Sequence, residues 1–125
     1  MILIGNGRLA TRDASHPFYE SGAVVTDKNR IVKVGDYLTL RKEYPQAEFI
    51  DAKGGVIMPA FINTHEHIYS AMARGLSING YNPNGFLDIL DGMWWTIDRH
   101  LTIEQTRQSA MTTYIDSIKN GVTTV

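Results

Sequence analysis

Cysteine is absent from this chain of 125 residues, which removes disulfide frameworks, zinc ribbons and thiol nucleophiles at once. Charge of one sign is lacking too: 12 Lys and Arg stand against 13 Asp and Glu, a formal net charge of -1. Nucleic acid, whose partners carry a basic face, is therefore not an expected ligand. No apolar run reaches the roughly 18 residues of a bilayer span, so no membrane partner is expected. The short apolar start, residues 1–4, has no basic lead and no h-region, and does not read as a secretory signal. These absences together make a cytoplasmic location the expectation. Proline is scarce, and two of the four, Pro45 and Pro59, fall where the texture of the chain changes.

What is present suits a globular protein, with 43% hydrophobic and 20% charged residues and a length fit for one compact domain. Residues 1–58 read as short strands between turns. The apolar run 2–4 is expected to stop at Gly5-Asn6-Gly7, a strong turn signal. Residues 23–26 and 30–34 are β-branched runs joined through Asp27-Lys28-Asn29, which predicts a hairpin. Residues 37–44 suit about two helical turns closed by Pro45, and residues 48–51 and 56–58 suit further strands.

From Pro59 the pattern changes. Residues 60–63 suit a short strand that runs into Thr64-His65-Glu66-His67. A helix is expected over 68–76, a Gly-, Asn- and Pro-rich loop over 77–85, and a second helix over 86–99. Thr102 and Gln105 fit a capping box, in which hydroxyl and amide side chains satisfy orphan backbone amides reciprocally. The next helix repeats apolar residues at Ile103, Ala110, Met111, Tyr114, Ile115 and Ile118, a period near 3.6 that predicts a core-facing stripe. Gly121 supplies its stop, and residues 122–125 begin another strand. Strand, helices, strand is the rhythm of a parallel α/β fold.

The His-x-His pair is the chemical signal. Alternate side chains on a strand share a face, so His65 and His67 are expected to project together, with Phe61 and Asn63 behind them and Glu66 turned outward. Their separation along the strand would be roughly 6.5 Å at about 3.3 Å per residue. Imidazole nitrogens can meet a shared cation at about 2.0–2.1 Å. A bare His-x-His is better explained by surface decoration; the preceding Pro59, the apolar strand and the following helix raise the metal reading. The pair alone is not a catalytic centre, because such sites use at least three protein ligands. Arg74 could face a substrate anion but reads sooner as a solvated helix charge, and Trp94 and Trp95 could line a pocket mouth but read sooner as core and rim packing; His16 and His100 read as surface histidines.

The segment Met58-Pro-Ala-Phe-Ile-Asn-Thr-His-Glu-His67, preceded by Ile50-Asp-Ala-Lys-Gly54, resembles the amidohydrolase superfamily, whose pattern there is Pro-Gly-Phe/Leu-Ile/Val-Asn-x-His-x-His. Ala60 departs from it by a methyl group where the family has glycine. The likeness continues through residues 68–75, through 90–101 with the Trp-Trp pair, and through 119–125. It is similar to the aminohydrolase and chlorohydrolase branch, nearest to SsnA-type aminohydrolases and further from guanine deaminases. The resemblance implies an α/β fold in which residues 1–58 are the N-terminal half of a small β-sandwich. Residues 59–125 would be the first βα unit of a metal-dependent (β/α)8 barrel, cut within strand 2, since a barrel takes about 250 residues.

It also implies that His65 and His67 are the first two ligands of a divalent metal, zinc first and iron second. The later ligands, a His and an Asp, and the acid/base groups would lie beyond Val125, so no catalytic residue is assigned. The implied function is the N-terminal portion of a hydrolase that uses metal-activated water on a C–N bond of a nitrogenous ring compound, inactive as this chain alone. The full-length form is expected to be a homo-oligomer. The alternative is a non-catalytic remnant, or a split-subunit interaction module that needs a complementary chain.

Overall fold

One long strand, β1 (Ile2–Ala10), organises the first of two units, Met1–Pro59, in a computed structural model that describes residues 1–125. It pairs antiparallel with β2 (Phe18–Asp27) and parallel with β4 (Glu48–Asp51) and β5 (Val56–Ile57), while β3 (Arg30–Asp36) joins β2 antiparallel at the edge. The expected stop at Gly5-Asn6-Gly7 does not occur. Leu3, Gly5, Gly7 and Leu9 are buried in strict alternation, so period-2 burial runs straight through the supposed turn. The glycines serve close approach instead: a Cβ on Gly5 would meet the Tyr37 ring at 2.6 Å, and one on Gly7 the Gly55 carbonyl oxygen at 2.7 Å. Asn6 absorbs the irregularity at φ 58, beside a register shift against β2, and donates to Asp51 Oδ1 at 2.7 Å.

The predicted hairpin is β2–β3, with Lys28 in its turn at φ 51. Helix α1 (Tyr37–Glu43) starts at Asp36, whose carboxylate accepts the Thr39 N–H at 2.9 Å, and ends before Pro45. Its Leu40 completes a core with Leu3, Ala23 and Val25, against which Tyr37, Tyr44, Ala47 and Phe49 pack.

In the second unit, Ala60–Val125, β6 (Phe61–Ile62) pairs parallel with β7 (Val122–Thr124). Helix α4 (Ile103–Lys119) precedes β7. Strand, helix and parallel strand succeed one another as expected, a mixed α/β arrangement. The helix expected over 68–76 is a 3-10 helix, Ile68–Ala73, kinked at Ser70 (φ -120, ψ 17). The expected helix over 86–99 is α2 (Phe86–Ile89), a π-helical turn (Leu90–Trp94) and α3 (Trp95–His100) in succession. Both capping-box bonds are made: Gln105 N–H donates to Thr102 Oγ1 at 3.2 Å and Thr102 N–H to Gln105 Oε1 at 2.8 Å. Gly121 takes φ 76, as a helix stop requires.

The apolar stripe of α4 is not its packed face. Ile103 is 90% exposed and Ile118 72%, whereas Ser109 is wholly buried. Its Oγ accepts the Met72 N–H at 3.2 Å, so a small residue seats the helix against the 3-10 segment. The periodicity located a stripe correctly, but nothing in this chain covers it. No helix is long and apolar enough to cross a membrane.

Candidate metal centre

The site begins where β6 ends. Asn63 N–H still reaches Thr124 O at 2.9 Å, but its side chain then takes over: Oδ1 accepts the His65 N–H at 3.2 Å and Nδ2 donates to Glu66 Oε2 at 3.1 Å. Such an Asx turn replaces ladder hydrogen bonds with local ones and bends the chain. His65 and His67 therefore sit in an irregular segment after the strand, not on it, and His67 precedes the 3-10 helix with φ -120 and ψ 66. Glu66, expected to turn outward, is half-buried under the Asn63 amide and lines a cleft of about 330 Å³ with His67, Arg74 and Asp116.

The two imidazoles come together. His65 Nε2 and His67 Nε2 are 3.3 Å apart, with ring centroids at 5.3 Å and planes inclined at 55°. Two nitrogens each about 2.0–2.1 Å from a tetrahedral cation stand about 3.3–3.4 Å apart, so the spacing matches the bite of a shared metal. Neutral imidazoles suit zinc and iron alike. No group of three or more His, Cys, Asp or Glu side chains comes together in the chain, so the pair fits two positions of a metal's coordination and supplies no third.

The other candidates fall mostly as expected. Arg74 is exposed and pairs with Asp116 Oδ2 at 3.5 Å. His100 is exposed, its Nδ1 against Thr96 O at 2.7 Å, and His16 is exposed beside Ser15. Trp94 differs. Instead of filling a core, its half-buried indole stacks on the His67 ring at 5.7 Å and 29°, and Tyr69 meets the same ring edge-on at 6.2 Å. Burial, reinforced by the Asp98 carboxylate, pushes the Tyr69 phenol up from its ordinary value. Sequence reading missed the stack and the Ser109 seat, because neither leaves a periodic trace.

No protein-family model matches the chain. Among curated proteins, it is 28% identical over 123 residues to the 5'-deoxyadenosine deaminase of Methanosarcina barkeri, covering 98% of this chain and 26% of that one. It is 30% identical over 123 residues to the 5-methylthioadenosine/S-adenosylhomocysteine deaminase of Thermococcus sibiricus, covering 98% and 27%. Among solved structures, atrazine chlorohydrolase TrzN from Arthrobacter aurescens complexed with zinc superposes with a TM-score of 0.78 at 27% identity, over 98% of this chain and 27% of TrzN. By sequence and fold the chain is similar to deaminases and a chlorohydrolase of the amidohydrolase superfamily. The chain spans about a quarter of the length of the relatives it matches.

Proposed function

We propose that the chain is the N-terminal portion of a metal-dependent hydrolase acting on a C–N bond of a small nitrogenous ring compound. On this reading β6, α4 and β7 open a (β/α)8 barrel, residues 1–58 are half of a β-sandwich, and the chain is catalytically incomplete by itself. The observation that carries it is the 3.3 Å approach of the two Nε2 atoms. His65 and His67 hold a divalent cation, zinc first, through those atoms, and the Asn63 hydrogen bonds fix the segment that carries them. When bound, the cation supplies the Lewis acidity that makes water nucleophilic near neutral pH. The deaminase and chlorohydrolase relatives support the reaction class, and the zinc in TrzN supports the metal. A cytoplasmic, homo-oligomeric full-length enzyme is part of the same proposal.

Zinc titration of the purified chain by calorimetry tests it. One cation should bind, with binding lost in His65→Ala and in His67→Ala and kept in His16→Ala. Equal loss in His16→Ala, or no binding at all, would overturn the assignment.

A further inference from the structure

The π-helical turn Leu90–Trp94 interrupts what would otherwise be one helix from α2 into α3. Such turns insert a residue, rotate the rest of the helix by about 100°, and concentrate at functional sites. Here the insertion is held in place. Gly92 lies against the Tyr81 ring, where a Cβ would come within 2.7 Å, and Tyr81 Oη donates to Asp88 O at 3.0 Å. Trp94 ends the widened turn, and its indole covers the His67 ring at 5.7 Å with 29° between planes.

A ligating imidazole ordinarily has its orientation fixed by a hydrogen bond from its other nitrogen to a carboxylate or carbonyl. The polar contact of the His67 ring is with His65 Nε2, on the ligating side. Two aromatic rings also meet it, Trp94 on the face and Tyr69 at the edge. We infer that Trp94 is a positioning residue for the metal site, its indole stacking on His67 to hold the ring where Nε2 faces that of His65. Stacked aromatic pairs at this separation gain orientation-dependent energy beyond burial, so the contact selects a ring plane and does not merely fill space. The inference rests on His65 and His67 being ligands, but Trp94 itself touches no cation.

Nuclear magnetic resonance and cobalt(II) titration of the full 125-residue chain separate the two ideas. The His67 ring protons should be shifted upfield by the indole ring current in the metal-free parent chain, and return in Trp94→Ala. Cobalt(II) affinity should fall roughly tenfold in Trp94→Ala, the low end for partners that orient a ligand, and recover to within about threefold in Trp94→Phe. The exposed neighbour Trp95 serves as control, with Trp95→Ala binding as the parent does. Circular dichroism matched between Trp94→Phe and parent guards against a folding defect. Absence of the ring-current shift in the parent overturns the inference directly. A shift with equal cobalt(II) affinity in Trp94→Ala and parent also overturns it and leaves the histidine pair standing. No cobalt(II) binding by the parent overturns the metal assignment, and the positioning role with it.

Discussion

Asn63 donates its amide to the carboxylate of Glu66 at 3.1 Å, tying the end of β6 to the residue between the two histidines. The same side chain accepts from His65 N–H at 3.2 Å, so one amide holds the segment at two points. Asn63→Ala removes both contacts without touching either imidazole. The expected result is a zinc affinity lowered about tenfold, as for other partners that orient ligands. Calorimetry decides it, and an unchanged affinity would mean the histidines are placed without the Asn63 amide.

Helix α4 begins at a complete capping box. Thr102→Ala takes away the acceptor for Gln105 N–H, and loss of such a cap costs about 1 kcal/mol. The first-turn amides of α4 should then exchange faster with deuterium, while those of β1 and β2 keep their rates. Gln105→Ala, which removes only the reciprocal bond, should have the smaller effect. Identical exchange in all three chains would show that the box is not what starts the helix.

These two sites also mark how far the amino-acid pattern could be read. The capping box, the Gly121 stop, the β2–β3 hairpin and the end of α1 before Pro45 are local devices, decided within a few residues, and all were legible. Gly5-Asn6-Gly7 was misread because its glycines answer to Tyr37 and Gly55, which are distant in the chain. The histidine pair was legible as a pair, but strand alternation misplaced Glu66. Asn63 was the available signal, since asparagine ahead of Thr-His favours an Asx turn over continued strand. The face that α4 packs was not legible, because Ser109 seats the helix through its size and hydroxyl rather than through hydrophobicity.

Acid should weaken the first unit through particular carboxylates. The backbone N–H of Thr39, then its hydroxyl, hold the Asp36 carboxyl below its ordinary 3.8, and the Lys53 N–H and the Asn6 amide do the same for Asp51. A carboxyl whose folded value is lowered stabilises the fold fully above its unfolded value, and loses that contribution as pH falls through the folded one. Melting temperature should thus be flat above about pH 5 and decline below the ordinary carboxylate range. Asp36→Asn keeps a cap but carries no titrating charge, so its decline should be shallower. Parallel curves for the two chains would remove Asp36 from the account.

The two units should differ in how tightly they hold their amides. The fully buried apolar side chains Leu3, Leu9, Ala23, Val25 and Leu40 all belong to the first unit, while the buried polar side chains of the second are Ser70 and Ser109. Protection against exchange tracks buried apolar packing, so β1 and β2 should be the slowest segments and α4 should open more readily. Leu3→Ala would leave a cavity costing on the order of 2–5 kcal/mol, enough to erase much of the β1–β2 protection. The same substitution should leave α4 exchange as it was, because the helix gains its seat from Ser109 and Met72 within its own unit. Uniform loss across both units would show one cooperative body, and the division at Pro59 would then have no energetic meaning.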